Sequence, residues 1–468
     1  MVVLAPEAPP PVAAPRRGLL RRPSLLVALT VLLVAVPDAQ HATGVRLASV
    51  TAADLGAVLL VGAVGLSVLG GRDLGPLRDK MLIGPVAMLV AAIVSTWWST
   101  DPVLSLVAVS RYAEIFCLVP VAVLLAVRDR TDVAIVLGAL VVLGAGEGAL
   151  GVFQSATGTG AGYQGQTIRA IGTFGVTDVL AMATVVSCAQ LVLLGVALRS
   201  GSRRRVWAAV GVLALTLPLL LSLSRGALLA TIVAAGVMVL STGLLRALGV
   251  GLVLAAVLVL GLSVTGGLDQ TVVQRVASIG DSAAQPDSSV QDRYNLWSTA
   301  ISIWHVSPVT GVGIKQFPAY RDSHAPLGLS SGSELQTATS YERGELLSPH
   351  NEYLLLLSEQ GVIGLGSYLL FVLVLVARHL SMLGDRPRGD VRDVLRLVSL
   401  GWLVWYAVHL SYGDLSGGTA VMYSVLLGLM LRSAQTGRLP LAPAEHEGHR
   451  GEQHAQRDAR GDVDHRVG

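Results

Sequence analysis

The sequence predicts an all-α polytopic membrane protein with about twelve transmembrane helices and one large extracytoplasmic loop that contains short helices. Of the 468 residues, 52% are hydrophobic and only 14% are charged, with a mean hydropathy of +0.64. A soluble domain of this size does not need so much apolar surface. Apolar runs of about 20 residues recur, the length that a helix needs to cross a bilayer, whereas the alternation typical of a barrel is missing.

The apolar runs divide the chain into segments. Residues 1–18 are rich in Pro and Ala, and we expect them to form a disordered cytoplasmic N-terminus. The first run ends near Val36, and because no small-x-small cleavage site follows it, an uncleaved span is predicted rather than a signal peptide. Residues 19–264 then hold spans 1–9, and residues 348–431 hold spans 10–12. After the first, the runs lie at 52–71, 81–98, 103–127, 133–153, 177–198, 206–223, 226–245, 247–264, 353–376, 397–412 and 417–431.

The distribution of arginine and lysine predicts the orientation of the spans. With the N-terminus inside, about 25 of the 34 basic residues fall on the inner side, as the positive-inside rule requires. An even number of spans also places the C-terminal tail, residues 432–468, inside, where we expect it to be disordered and solvated. The sequence therefore predicts a multi-pass plasma-membrane protein with both termini in the cytoplasm, the lipid bilayer as a partner and no nucleic-acid partner.

The predicted extracytoplasmic loop covers residues 265–347, which are too polar to form a span. Within it, aromatic and apolar residues recur at spacings of three and four: Tyr294, Trp297, Ile301 and Trp304. This spacing predicts a short amphipathic helix on the membrane surface, which Pro308 would end. Residues 323–340, rich in Ser, Gly and Thr, are predicted to form a flexible loop.

The stretch from Ser348 to Gly366 leads from this loop into an apolar run. Ser348 suits a helix cap and Pro349 the first helical position, so His350 is predicted to lie in the first turn. The positive helix end disfavours the imidazolium there, and a neutral imidazole at a membrane surface can accept a proton. The alternative interpretation is an interfacial polar residue without chemistry.

Arg225, in Ser224-Arg225-Gly226, is predicted to lie on the outer side at the N-terminal end of a helix. A cation at that end opposes the helix dipole, and a bound anion removes the conflict. Helix N-termini bind phosphate, and a guanidinium adds two parallel hydrogen bonds. Arg225 is therefore a candidate phosphate ligand, unless it only reaches toward lipid headgroups.

Arg293 and Arg169 are two further candidates on the predicted outer side. Arg293 precedes Trp297 by four residues and so lies on a similar face of the predicted surface helix. It could bind phosphate, or it could be a solvated charge or a partner of Asp292. Arg169 shortly precedes Gly172-Thr173-Phe174.

In their order and spacing these motifs resemble the O-antigen ligase and polymerase superfamily of membrane glycosyltransferases. The resembling elements are Arg169 with Gly172-Thr173-Phe174, Ser224-Arg225-Gly226, Asp292-Arg293 with Trp297 and the stretch from Pro308 to Phe317, and His350-Asn351 with Glu359, Gly361 and Gly364. The element around Arg169 ends in Pro-Asn in the family, whereas Thr177-Asp178 stands at the corresponding positions here.

The resemblance implies the transfer of a glycan from an undecaprenyl-diphosphate carrier to an acceptor hydroxyl on a glycan, lipid or protein outside the cytoplasm. We expect a metal-independent, inverting reaction without a cofactor, in which His350 is the general base. The remaining expected site residues are Arg225, Arg293 and Arg169 on the diphosphate, with Ser224, Asn351 and Trp297 in support. The alternatives are a carrier-linked polysaccharide polymerase, a protein O-glycan ligase and, from another class, a polyprenyl-glycan flippase or transporter.

Other polar residues in the apolar runs are predicted to be structural. Glu359 lies nine residues after His350, about 13 Å deeper and half a turn out of phase, so an internal polar contact is expected. Gly361 and Gly364 are expected to allow close helix packing. His409, Tyr412 and Asp414, near the outer end of the eleventh span, could line the same cavity, but structural roles are predicted for them. Packing roles are predicted for Cys117 and Cys188.

Overall fold

Long α-helices dominate the described chain, as the apolar runs predict. The computed structural model describes residues 22–37, 50–163, 167–175, 178–243, 288–327, 329, 333–336, 341–344, 347–382, 390–415 and 417–435. The helices are α1 Ser24–Leu32, α2 Ala52–Leu69, α3 Ile83–Ser95, α4 Pro102–Ala113, α5 Val119–Ala126, α6 Arg130–Thr157, α7 Ala181–Arg199, α8 Ser202–Leu221, α9 Arg225–Leu240, α10 Ser288–Trp304, α11 Phe317–His324, α12 Glu352–Ser381, α13 Val391–His409 and α14 Gly417–Ala434. The strands are β1 Ala161–Tyr163, β2 Thr167–Arg169, β3 Ser333–Gln336 and β4 Tyr341–Gly344.

Short irregular turns extend several of these helices. A π-helical turn, Glu114–Leu118, joins α4 to α5. Single 3-10 turns lie at Leu33–Ala35, Gly75–Arg78, Lys80–Leu82 and Thr96–Trp98. These helices and strands belong to the first of two units of the chain, Met1–Ala434, and the second unit is Gln435–Gly468.

Eight helical stretches in the described part of the chain are long and apolar enough to cross a membrane. They are Ala52–Leu69, Lys80–Trp98, Pro102–Ala126, Arg130–Thr157, Ala181–Arg199, Arg203–Leu221, Glu352–Ser381 and Gly417–Ala434. Each coincides with one of the predicted spans, so the helical membrane-protein class is confirmed.

Four of the twelve predicted spans have a different outcome. Two coincide with shorter apolar helices, Ser24–Ala35 and Arg225–Leu240. The span predicted at 397–412 overlaps α13, which ends at His409 and whose first turns carry charged side chains. The span predicted at 247–264 lies outside the described residues, as do residues 1–21 and 436–468. The total of twelve spans, the extent of the large loop and the orientation therefore remain predictions.

The part of the predicted outer loop that is described contains helices and a hairpin. The aromatic stripe lies on α10, which ends at Trp304, before Pro308, as expected. The stretch 323–340 differs from its prediction, because it contains the end of α11 and strand β3, which pairs antiparallel with β4. The composition of residues 323–340 does not reveal the hairpin, because the partner strand β4 lies outside this stretch. A second hairpin pairs β1 with β2 and ends at Arg169.

The helix α12 is interrupted at Gly361, where φ is 64° and ψ is −163°. Such a conformation is open to glycine alone, and a Cβ there would overlap the carbonyl of Val309. Four backbone hydrogen bonds join the interruption to the loop after α10: Val312 N to Ser358 O, Gly313 N to Glu359 O, Val362 N to Pro308 O and Ile363 N to Val309 O. Gly361 therefore allows a loop, and not another helix, to approach α12.

Glu359 makes the internal contact that the sequence predicts. The residue is 4% exposed, and Glu359 Oε1 accepts a hydrogen bond from the backbone N of Phe317 at 3.0 Å. This contact attaches the start of α11 to the same interruption of α12. Gly364 differs from its prediction, because the atoms nearest to it belong to Gln360 of its own helix.

Buried tryptophans attach α13 to two neighbouring helices. Trp402 Nε1 donates to the carbonyl of Cys188 on α7 at 3.2 Å, and Trp405 Nε1 donates to Thr231 Oγ1 on α9 at 3.0 Å. Cys188 is buried and Cys117 is partly buried, and both are free thiols, in agreement with packing roles. The end of α13, and with it the connection to α14, is thereby held in place next to α9.

Candidate active site at the starts of helices 9 and 12

The helix that follows His350 begins later than the sequence predicts. The helix α12 starts at Glu352, and its cap is Asn351, whose Oδ1 accepts from Leu354 N at 3.1 Å. The predicted start at Ser348-Pro349 is wrong, because Glu352 N donates outward to the carbonyls of Leu410 and Gly413, at 2.9 and 3.1 Å. His350 consequently lies before the cap and not in the first turn.

His350 has an unusual backbone conformation, with φ at 48°. The Ser348 hydroxyl accepts from His350 N at 3.1 Å and itself donates to Asp414 Oδ2. The same Asp414 oxygen lies 3.9 Å from His350 Nδ1. A non-glycine residue at positive φ is strained, and such strain concentrates at functional sites. The strain therefore favours the functional interpretation of His350.

The environment of His350 favours the neutral imidazole. Burial lowers the pKa of His350 below its usual 6.5, the Asp414 carboxylate opposes this shift, and the Arg293 guanidinium adds to it. The His350 side chain is nevertheless 39% exposed. It can therefore both accept a proton near neutral pH and reach a substrate.

Two residues of α10 contact the segments on either side of the His350 site. Arg293 Nη1 donates to the carbonyl of Tyr412 at 3.1 Å. Trp297 Nε1 donates to the carbonyl of Pro349 at 3.1 Å. An apolar cluster holds α10 against α11 and the first turn of α12: Leu296, Ala300, Ile303, Val312 and Phe317, with Leu354 and Leu355 packed against it. Arg293 and Trp297 thus lie on the predicted common face, directed at the His350 segment.

Arg225 lies at the first position of α9, as predicted. Ser224 caps this helix, since its Oγ accepts from Ala227 N at 3.3 Å. The ring of Tyr412 occupies the space where a Cβ of Gly226 would lie. Tyr412 therefore contacts the start of α9 with its ring, while its carbonyl accepts from Arg293. One residue connects the Ser224-Arg225-Gly226 motif to the His350 site.

Arg169 lies beside the same helix start. Its Nε and Nη2 donate to the carbonyl of Ser222 at 3.2 and 3.0 Å. The neighbouring Ala170 N donates to the carbonyl of Leu221 at 3.0 Å. These carbonyls belong to the end of α8, where a cation offsets the negative pole of the helix. Arg169 therefore contacts Ser222, which precedes Arg225 by three residues in the chain.

Carboxyl groups cluster at the connection between α13 and α14. Asp414 accepts from Ser348, and Glu352 Oε2 accepts from Leu415 N at 3.1 Å. Burial, and then the Asp414 carboxylate, raise the pKa of Asp178 to about 7. Asp178, at the position where the family has Asn, lies next to the start of α14, since a Cβ on Gly417 would come within 3.6 Å of Asp178 Oδ2.

Sequence reasoning missed three residues of this region. Asp414 was expected to be structural, yet it is the carboxylate nearest to the His350 ring among the ion pairs of the described chain. Glu147 and Gln154 on α6 hold the loop after Arg169. An acidic residue within a predicted membrane span is a functional candidate by default, so the position of Glu147 in the run 133–153 could have revealed it.

Comparison with protein families supports the resemblance drawn from the motifs. A family model described as O-antigen ligase matches residues 210–369. The matched segment includes Arg225, Arg293 and His350, whereas Arg169 and Asp414 lie outside it. A comparison with curated proteins finds no match. The family match confirms that this membrane protein is similar, over residues 210–369, to the O-antigen ligase superfamily.

Proposed function

We propose that this protein is a membrane glycosyltransferase of the O-antigen ligase type. It transfers a glycan from an undecaprenyl-diphosphate carrier to an acceptor hydroxyl at the outer face of the plasma membrane. The observation that carries the proposal is the convergence of three separate elements on the segment from Tyr412 to Asp414. The helix α10 contributes Arg293, the start of α9 lies against the Tyr412 ring, and the start of α12 brings His350 to Asp414.

The residues suit displacement of a diphosphate leaving group. His350, neutral near pH 7, accepts the proton of the acceptor hydroxyl as that oxygen attacks the anomeric carbon. The bond from the anomeric carbon to the carrier phosphate breaks, and the electron pair leaves with the diphosphate. Arg225, Arg293 and Arg169 stabilise the charge that develops there. Direct attack opposite the leaving group inverts the anomeric centre, and the proposal requires neither a metal nor a cofactor.

Reconstitution of the purified protein with a labelled polyprenyl-diphosphate-linked glycan and candidate acceptors tests this function. Formation of a new glycosidic bond with release of polyprenyl diphosphate supports the proposal. Movement of the labelled lipid between leaflets without bond formation would instead identify a flippase. A product that remains attached to the carrier but has a longer glycan would identify a polymerase, and a glycosylated polypeptide would identify a protein ligase.

Lysine substitutions test the arginines as diphosphate ligands. A guanidinium offers a planar fork that matches two phosphate oxygens, whereas an ammonium offers only a compact charge. We therefore expect Arg225→Lys to lose most of the activity and Arg293→Lys to lose less, and inorganic diphosphate to inhibit both variants more weakly than wild type. The test is to measure turnover and the inhibition constant of diphosphate for wild type and both variants under the same conditions. Full activity and unchanged inhibition in both variants would assign these arginines to lipid headgroups.

A further inference from the structure

The loop that carries Arg169 is held by two polar side chains of the apolar helix α6. Gln154 Oε1 accepts from the backbone N of Ile171 at 3.1 Å and of Gly172 at 2.9 Å. Gln154 Nε2 donates to the carbonyl of Gly172 at 2.7 Å. One amide side chain therefore uses both of its ends on two consecutive loop residues, which sets the path of the backbone there.

Glu147 holds the next residue of the loop with both carboxylate oxygens. Oε2 accepts from Thr173 N at 2.9 Å, and Oε1 accepts from Thr173 Oγ1 at 2.8 Å. Glu147 is only 2% exposed. A buried carboxylate in an apolar helix is costly, and the two hydrogen bonds from Thr173 offset this cost. Gly172 has φ at 63°, and a Cβ there would overlap the Glu147 carboxylate, so the fit of loop and carboxylate is tight.

The other side of the same loop is attached to the end of α8. Ala170 N donates to Leu221 O, and the Arg169 guanidinium donates to Ser222 O. Only Ala170 separates Arg169 from the residues that Gln154 and Glu147 hold. A displacement of Thr173 would therefore be transmitted within four residues to the guanidinium of Arg169.

We propose that Glu147 and Gln154 are positioning residues that fix Arg169 beside the N-terminus of α9, so that Arg169 and Arg225 face one diphosphate. This inference rests on the proposed function, in which Arg169 is a diphosphate ligand. The two side chains touch no reacting atom. They act through the hydrogen bonds to residues 171–173 and thereby determine where the third guanidinium lies.

A double-mutant cycle between Glu147 and Arg169 tests the inference in the full-length protein reconstituted in lipid. Glu147→Gln removes one of the two oxygen acceptors for Thr173, and Thr173→Val removes only the bond from Oγ1. We expect each to raise the KM for the lipid-linked donor and the inhibition constant of inorganic diphosphate by about tenfold. Because Glu147→Gln acts through Arg169, it should add nothing once Arg169 is replaced. The double variant Glu147→Gln/Arg169→Lys should therefore have the same KM and inhibition constant as Arg169→Lys alone.

The controls separate positioning from a general loss of stability. Gln190→Leu removes a buried amide that donates to Val212 O and Thr216 Oγ1, between α7 and α8. It should lower the melting temperature without changing inhibition by diphosphate. In the double variant Glu147→Gln/Arg293→Lys, the fold-increases in KM and in the inhibition constant should equal the product of those in the two single variants, since Arg293 lies on a different element. If Glu147→Gln does not fold, the test uses Thr173→Val instead. That variant keeps the hydrogen bond from the Thr173 backbone N to Glu147.

Three outcomes would overturn the inference while leaving glycan transfer itself in place. The first is unchanged diphosphate inhibition in Thr173→Val and Glu147→Gln, and the second is a larger loss of donor affinity in Glu147→Gln/Arg169→Lys than in Arg169→Lys. The third is full activity of Arg169→Lys, because there would then be no ligand to position. Failure of the proposed function itself appears differently, as a wild-type protein that forms no glycosidic bond and is insensitive to diphosphate.

Discussion

Two charged neighbours act on His350 in opposite directions. Asp414 raises the pKa of the imidazole, whereas Arg293 and, above all, burial lower it. Because the lowering effects dominate, the ring is neutral at pH 7, as a general base must be before it accepts a proton. Asp414 also holds Ser348, which accepts from the backbone of His350. A single carboxylate therefore influences both the charge and the position of the ring.

Replacement of the imidazole is the direct test at this scale. We expect His350→Ala to lose about 10²-fold or more in turnover while the protein still inserts into the membrane and binds the donor, because only proton transfer is removed. The matched control is His305→Ala, since His305 is exposed and its ring only contacts Trp304 at the end of α10. Comparable turnover in the two variants would return His350 to a structural role.

The pH dependence of the reaction tests the pairing of His350 with Asp414. In Asp414→Asn the raising effect on the His350 pKa is lost, so the pKa of the ring falls further. The acidic limb of kcat/KM should therefore move to lower pH, and turnover should fall because the base is weaker and less well oriented. The profile is measured from roughly pH 5 to 8. A limb that stays in place, or moves to higher pH, would contradict the pairing.

At the scale of elements, close backbone approaches fix the positions of the site helices. The loop after α10 pairs with the interruption of α12 at Gly361, which sets α10 and its Arg293 relative to the start of α12. The start of α9 is set in turn by the contact between Gly226 and the Tyr412 ring. Each approach requires the absence of a side chain at one position.

A methyl group at Gly226 tests the second of these approaches. We expect Gly226→Ala to separate α9 from Tyr412 and to reduce turnover by on the order of tenfold or more, because Arg225 then moves away from the other site residues. Gly236→Ala, on the same helix, is the matched control, since a Cβ there meets no atom within 4 Å. That change should leave turnover intact and raise the melting temperature slightly. Equal turnover in both variants would exclude the proposed helix contact.

At the scale of the whole molecule, the charge asymmetry predicts on which side of the membrane the site lies. The starts of α9 and α12 and the helix α10 share one side in that prediction, whereas the connection between α7 and α8, with its run of arginines, lies on the other. The donor and the acceptor must then meet outside the cytoplasm. The orientation thus decides which substrates can reach His350.

Cysteine labelling tests the orientation. In a background with Cys117→Ser and Cys188→Ala, we expect Ser298→Cys to react with a membrane-impermeant thiol reagent in intact cells and Arg204→Cys to react only after permeabilisation. Both positions are exposed, so accessibility within the fold does not limit labelling. Labelling of Arg204→Cys alone in intact cells would reverse the topology and place the site in the cytoplasm.

The sequence by itself determined the helical membrane class, the approximate bounds of the apolar helices and the start of α9 at Arg225. These features depend on local composition, because hydrophobicity summed over about 20 residues separates an apolar helix from the polar residues before it. The tertiary structure alone decided that α12 starts at Glu352, because Leu410 O and Gly413 O accept from its backbone N. It also decided that Asp414 lies beside His350 and that Glu147 holds Thr173. These pairs are 64 and 26 residues apart in the chain. No local pattern encodes such contacts, since they arise only when separate helices pack together.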